Sequence, residues 1–309
     1  MIAPRSVVML AAVIAAFGLL PGTGPGPRLA PAQASFDCPA PALPVVTPAT
    51  GSPAAEPTAP AAATPAAFPE EGGDLTVFAA ASLTDAFEQI ATDLESAHPD
   101  LGIEFNFAGS QALVTQLGEG AAADVFASAN ATQMHAAIDQ GSISGEPVTF
   151  VQNRLAIVVP SDNPAGLDGP EDLAREDLQL VLAQAEVPVG LYAREAVCNM
   201  SEATTADGEG FVAAVAANVV SEEEDVRDVL TRVQLGEADA GIVYVSDAAA
   251  AGDDVELIEI PDDVNVVASY PIAPVAGGDT ALAQAFIAYV LGEDGQETLQ
   301  NFGFEPRPS

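Results

Sequence analysis

The chain has 309 residues, with 45 acidic side chains against 8 basic ones, a formal net charge of -37 at pH 7. All eight basic residues are Arg. A balance this acidic excludes the basic footprint that nucleic acids and anionic membrane surfaces require, so no nucleic-acid partner is expected. It suits either an ordinary solvated acidic surface or a high-salt habitat, where the screening length shrinks to roughly 3 Å at 1 M.

Apolar residues make up 49% of the chain, enough for a sizeable core in one large or two modest domains. Two cysteines, Cys38 and Cys198, and two histidines, His98 and His135, are too few for a disulfide framework or a zinc cluster. A Cys38–Cys198 bridge and a free, buried Cys198 both remain open.

Arg5 precedes the apolar run "SVVMLAAVIAAFGLL". The run is shorter than the roughly 20 residues of a membrane span. A basic start, an apolar middle and small residues after it read as a secretory signal peptide over 1–34, cleaved after "AQA" or nearer Gly22. Retained, the same segment becomes a loose anchor. Residues 35–73 are rich in Pro and Ala and read as a semi-rigid tether. The folded part is expected from about Asp74, outside the cytoplasmic membrane.

From there strands and helices alternate. "LTVFAAA" reads as a buried strand, and Leu83, Ala86, Phe87, Ile90, Ala91 and Leu94 recur at helical spacing after it. "IEFNF" puts Ile103, Phe105 and Phe107 on one side of a second strand. A helix with Leu113, Val114 and Leu117 follows, then the strand "ADVFASA" and a helix marked by Met134 and Ile138. "RLAIVVP" and "LQLVLA" read as strands. Helices are expected from about Leu191, around 211–217 and from about 226 to 235. "AGIVYV", "VELIEI" and "VNVVASYPIAPV" are extended, and helices at about 280–291 and 294–301 close the chain. This alternation predicts an α/β fold with mainly parallel sheets.

In such sheets ligands sit where strands end and helices begin. Four junctions stand out. Ser82, with Asp85 three residues later, resembles a capping box. Gly109 and Ser110 precede a helix, Pro188, Val189 and Gly190 precede another, and "SEEEDVRDVL" opens a third near Val226. Each alone reads as a helix cap. Together, several helix N-termini offer free N–H groups and positive dipole ends, an anion site that needs no cation.

The strings "LTVFAAASLTDAF", "FAGSQALVTQL", "AADVFASAN", "VPVGLYAREA", "EEDVRDVL" and "ADAGIVYVSDA" resemble, in order and at ordinary spacings from about Leu75 to Phe304, the periplasmic molybdate-binding proteins of ABC importers. The resemblance implies a two-lobed, type II periplasmic-binding fold: each lobe a mainly parallel sheet flanked by helices, joined by a two-strand hinge. It implies lobe 1 over 74–153 and 249–309 and lobe 2 over 154–248, with hinge strands near Leu155–Val159 and Ile272–Val275. It implies a molybdate or tungstate oxyanion held by hydroxyl and backbone donors of Ser82 and Ser110, backbone N–H groups of Val189 and Val226, and the Tyr244 phenol. Contacts run through the oxyanion oxygens, with no protein ligand to the metal and no cofactor. Val189 stands where relatives often carry Ala, and "LVLAQAEVPVG" lacks an acidic residue and proline many of them have. A membrane permease is the implied partner, and a monomer is expected.

A sulfate or other oxyanion receptor on the same fold is the alternative. A secreted serine hydrolase is more distant, because Ser82 lacks the flanking glycines of a nucleophile elbow and an evident base. A ferric-iron site would want clustered tyrosines, and Tyr192, Tyr244, Tyr270 and Tyr289 include no adjacent pair. The acids Glu222, Glu223, Glu224 and Asp225 beside an anion site require their side chains to face away from it. Arg227 reads as a surface partner for one of them.

Overall fold

The computed structural model describes Phe36, Cys38, Phe68, Pro69, residues 72–203 and residues 208–307. The expected signal segment, and most of the expected tether, lie outside the described residues.

Strand β1 (Gly73–Ala80) is buried along most of its length and leads through a 3-10 turn, Ala81–Leu83, into α1 (Thr84–Ala97). The six apolar residues at helical spacing from Leu83 to Leu94 are all buried. Phe87 at the centre of that face meets Phe105, Phe150 and Phe286 with ring centroids 6.1, 6.0 and 5.6 Å apart. Burying a side chain of this size contributes about 1.5–3 kcal/mol, so this face fixes how α1 sits on the sheet.

Strand β2 (Leu101–Ala108) pairs with β1 in parallel and forms one edge of the sheet, so Ile103, Phe105 and Phe107 are only half-buried. Helix α2 (Ser110–Gly118), β3 (Val125–Ala127) and α3 (Ala131–Asp139) complete the first run. Met134 is buried, whereas Ile138 is exposed.

The long strand β4 (Val148–Pro160) begins before the expected "RLAIVVP". After it come β5 (Leu180–Ala183), α4 (Pro188–Ala203), α5 (Gly208–Asn218) and β6 (Val219–Glu223). Then follow α6 (Val226–Gln234), β7 (Ala240–Tyr244) and α7 (Val245–Ala251). The chain closes with β8 (Val255–Glu259), β9 (Val267–Pro274), α8 (Thr280–Leu291), α9 (Glu293–Asn301) and β10 (Glu305–Pro306).

Outer strands run parallel and central ones antiparallel. Strands β2, β1 and β3 are parallel neighbours, as are β6, β5 and β7. Between the two groups lie β9 and β4. Strand β4 belongs to both groups. Residues 148–154 pair with β9, while 155–160 pair with β7 and β8. The change of partner falls at Arg154–Leu155. There the Asn265 side chain accepts from the Leu155 N–H and donates to its carbonyl, at 3.1 and 2.9 Å.

The predicted boundary at 249 falls before β8, yet β8 pairs with residues 156–160 of β4. The return crossing therefore lies between Glu259 and Val267. Ile272 and Pro274 pair with β3 inside the first group, so this stretch does not cross between groups, contrary to the hinge expected at Ile272–Val275.

Cys38 and Cys198 form a disulfide, with Cα atoms 5.5 Å apart. Two residues earlier, the Phe36 ring covers the guanidinium of Arg194 at 5.6 Å. Among the described residues no helix is long and apolar enough to cross a membrane.

Candidate functional site

Six strand ends converge on one small, tight cleft. Its walls are Ala80–Ser82 at the end of β1, Ala108–Ser110 at the end of β2, Ala129 after β3, Val187–Val189 at the start of α4, Asp225–Val226 at the start of α6, and Tyr244 at the end of β7. All five residues expected from the sequence, Ser82, Ser110, Val189, Val226 and Tyr244, lie in this lining, and each is buried. The parallel βα connections explain the convergence, since they place helix N-termini at the carboxyl ends of strands. Small residues at 80, 81, 108, 109 and 129 let backbone approach the centre.

Two glycines are demanded by close approach. A Cβ on Gly109 would lie 2.6 Å from the Glu224 carbonyl oxygen, which belongs to the opposite strand group. A Cβ on Gly190 would lie 2.0 Å from the Gln184 carbonyl, so α4 starts against the end of β5 only because residue 190 is Gly.

The hydrogen-bond pattern leaves donors over. Ser110 Oγ accepts the Ala129 N–H at 3.0 Å. An N–H can only donate, so the Ser110 hydroxyl hydrogen is left for another acceptor. Ser82 Oγ lies 3.0 Å from the Tyr270 hydroxyl. With Tyr270 donating, Ser82 likewise keeps its hydrogen.

The expected Ser82 capping box is absent. Helix α1 starts at Thr84, no side chain caps it, and Ser82 sits in the preceding 3-10 turn. At α6 the Asp225 carboxylate accepts from the N–H groups of Arg227 and Asp228, at 2.8 and 3.1 Å. The first amide of the helix, that of Val226, is not among them. Pro188 opens α4 without an N–H of its own, and the Val189 amide follows in the first turn, where N–H groups have no intrahelical partner.

Tyr244 is 1% exposed, and its hydroxyl makes no well-formed hydrogen bond, the Tyr270 hydroxyl being its nearest polar neighbour. Burial pushes its phenol well above the ordinary tyrosine range, reinforced by the neighbouring Tyr270, so it is held as a donor. A buried, unpaired hydroxyl costs about 1–3 kcal/mol. Its place in the cavity wall suits donation to an acceptor in the cavity.

The lining carries one charged side chain, Asp225, and no cation. The chemistry on offer is therefore hydrogen-bond donation to a small acceptor-rich group. Nothing equips either serine as a nucleophile. Ser82 faces a phenol, and both histidines are exposed, His98 being packed on Phe68 with ring centroids 5.1 Å apart.

Residues 75–305 match the family of bacterial extracellular solute-binding proteins. The chain belongs to that family. Among curated relatives of this solute-binding protein, the molybdate-binding protein ModA of Mycobacterium tuberculosis is 38% identical over 257 residues, covering 82% of this chain and 90% of the relative. ModA of Escherichia coli is 32% identical over 239 residues, covering 75% and 89%. The solved periplasmic molybdate-binding protein of Azotobacter vinelandii superposes with a TM-score of 0.65 at 18% identity, covering 76% of this chain and all of that one, a likeness of fold. The two-lobed periplasmic-binding architecture is thus the fold of this solute-binding protein.

Sequence reasoning missed several residues that shape the site. Tyr270 orients Ser82, and the Ala129 amide orients Ser110. Arg227 is no surface partner. Its guanidinium lies 2.5 Å from Asp85 and 3.0 Å from Asp247, which is fully buried. Asp85 and Asp247 each stand three residues after a site residue, a repeated spacing that could have drawn attention to them. Tyr270, in an apolar strand, carried no such signal.

Proposed function

We propose that this chain is the extracytoplasmic receptor of an ABC importer, closing two lobes on molybdate or tungstate and delivering the oxyanion to a membrane permease without chemical change. The unpaired Tyr244 hydroxyl among donors and no cations carries the reading. A fully deprotonated tetrahedral dianion offers only acceptors, and this wall offers Ser82, Ser110, Val189, Val226 and Tyr244 as donors. The ModA relatives support the choice of oxyanion, because their names record molybdate binding. Hydrogen phosphate carries a proton that needs an acceptor, and leaving it unmatched costs about 1–3 kcal/mol.

Lobe closure is a hinge motion. The hinge lies where β4 changes partners at Arg154–Leu155 and where the chain returns between Glu259 and Val267. Lobe 1 then comprises β1 to β3, β9, β10 and the first half of β4, and lobe 2 comprises β5 to β8 and the second half of β4. The protein works outside the cytoplasmic membrane, with residues 1–34 as its export signal.

Isothermal titration with molybdate, tungstate, sulfate and phosphate tests the reading. Tight binding of the first two and no response to phosphate is expected. Tight sulfate binding with silence toward molybdate overturns it.

A further inference from the structure

Arg227 follows the site residue Val226 directly. Its Nη2 lies 2.5 Å from Asp85 Oδ2, and its Nε lies 3.0 Å from Asp247 Oδ1. The second contact is close enough to pair the charges, although the N–H is not aligned on the oxygen. Asp85 stands three residues after Ser82. Asp247 stands three residues after Tyr244, and its Oδ2 accepts the Tyr244 N–H at 3.2 Å. One guanidinium therefore joins the segments that carry three of the five site residues.

The two arms differ. Helices α6 and α7 pack on strands of the same group, β7 among them, whereas α1 packs on β2 in the other group. Opening the cleft separates Asp85 from Arg227 and leaves Arg227 with Asp247. Asp247 is fully buried, and removing its cation would strand a charge in the interior, which is strongly destabilising. The guanidinium is thereby held in place, aimed at the position Asp85 takes up on closure. Two neutral contacts cross the same gap: Gln111 Nε2 donates to the Glu224 carbonyl at 2.9 Å, and Gln133 Nε2 to the Glu186 carbonyl at 3.1 Å.

We propose that Arg227, held by Asp247, is a positioning residue that latches the closed cleft by pairing with Asp85 across it, slowing release of the bound anion without touching it. The proposal rests on the oxyanion-receptor reading and says how that site retains its ligand. A latch stabilises the closed state whatever lies inside, so it acts on residence time and not on the choice between anions.

Arg227→Gln would leave Asp247 unpaired and could fail to fold, so the test is Asp85→Asn in the full chain. Stopped-flow binding should show molybdate leaving about three- to tenfold faster, as for a half-buried charged pair, with association changed by less than about twofold. Tungstate should show the same factor. Asp85→Glu, which keeps the charge, should restore most of the residence time. The ligand-free melting temperature should move by no more than about 2 °C.

Hydrogen exchange supplies the second readout. Asp85→Asn should speed exchange at 109–117 and 184–191, far from the substitution but crossing the same cleft, in ligand-free and liganded protein alike. Wild-type protein that binds molybdate, with an unchanged dissociation rate in Asp85→Asn, overturns the latch. So does faster exchange confined to 81–90 and 225–230. If wild-type protein binds none of the oxyanions, the receptor reading fails, and the ligand-free exchange pattern alone upholds or overturns the latch.

Discussion

Tyr244→Phe separates ligand binding from folding, because the two effects have opposite signs. The substitution removes one oxygen from a ring that is otherwise fully packed, its centroid 5.7 Å from that of Tyr270. In the structure this oxygen is buried without a well-formed hydrogen bond. Its loss should leave stability unchanged or raise it by up to about 1 kcal/mol, since an unsatisfied buried group is a cost. With the dianion bound, the phenol becomes a donor to a charged acceptor, a bond worth about 1.5–3 kcal/mol. The dissociation constant for molybdate should therefore rise roughly 10- to 150-fold. Urea unfolding gives the first quantity and isothermal titration the second. A linked check follows from mass action. Molybdate at 100 times the wild-type dissociation constant stabilises the wild type by about 2.7 kcal/mol, and a 100-fold weaker variant by only about 0.4 kcal/mol. Affinity within twofold of wild type would refute a ligand contact at Tyr244. Ligand-free destabilisation beyond about 1 kcal/mol would show that the hydroxyl has a structural partner instead.

Ser110→Ala should weaken molybdate binding by about 1–3 kcal/mol in the same titration, and it also leaves the Ala129 N–H without its acceptor, so the urea midpoint should fall slightly. Burial pushes Asp247 from 3.8 up to about 6, against the opposing pull of Arg227. The folded state thus binds its proton before the unfolded chain does, so this group makes stability rise as pH falls from about 7 toward 4, by on the order of 2–3 kcal/mol in total. Comparing urea unfolding of wild type and Asp247→Asn across that range isolates the group from the many other acids, and parallel curves would refute the assignment. The net charge of -37 repels an approaching dianion, so molybdate association in stopped flow should accelerate as inert salt is added, and slowing would contradict that electrostatic picture.

Local pattern predicted most of the elements and marked four strand-to-helix junctions because both depend on short-range signals, whereas Tyr244 came only from the family resemblance. The α1 face from Leu83 to Leu94 is periodic, and helix starts at Ser110, Pro188 and Val226 carry recognisable residues. Elements without such signals were missed. Strand β6 hides in "VVSEE", an edge strand whose acids look like the opening of a helix. Helix α7 is short and nearly all Ala after Asp247. The partners that orient the donors lie far away in sequence. Tyr270 is 188 residues from Ser82, and Arg227 is 142 from Asp85. No local rule pairs such residues. The Cys38–Cys198 disulfide, one of two alternatives the sequence left open, spans 160 residues, and no local signal decides for it. The capping box at Ser82 failed for a related reason, since a tertiary partner took the hydroxyl that local chemistry would have assigned to the helix.

The run Glu222 to Asp225 beside the cavity looks hostile to a dianion, and the structure gives partners to the carboxylates of Glu222, Glu223 and Asp225. Glu222 pairs with Arg194, which also donates to the carbonyls of Ala183 and Gly190 and so braces the start of α4. Glu223 takes the Ser221 hydroxyl and Arg232. Glu224 is exposed, and only its backbone carbonyl is engaged, by Gln111. Asp225 is occupied by two amides of α6. Two of the chain's eight arginines, Arg194 and Arg232, are thus committed to these acids, and neither lines the cavity. The arginines offset the neighbouring acids, and the cavity wall itself is left with neutral donors. That division has a consequence for selectivity. A lysine or arginine inside the cavity would attract any anion through a charge that acts at a distance and from most directions. Hydroxyls and amides act only within about 3 Å and along their own axes. They reward an anion whose every oxygen is an acceptor at the right spacing, and they leave a protonated or smaller one with bonds unmade.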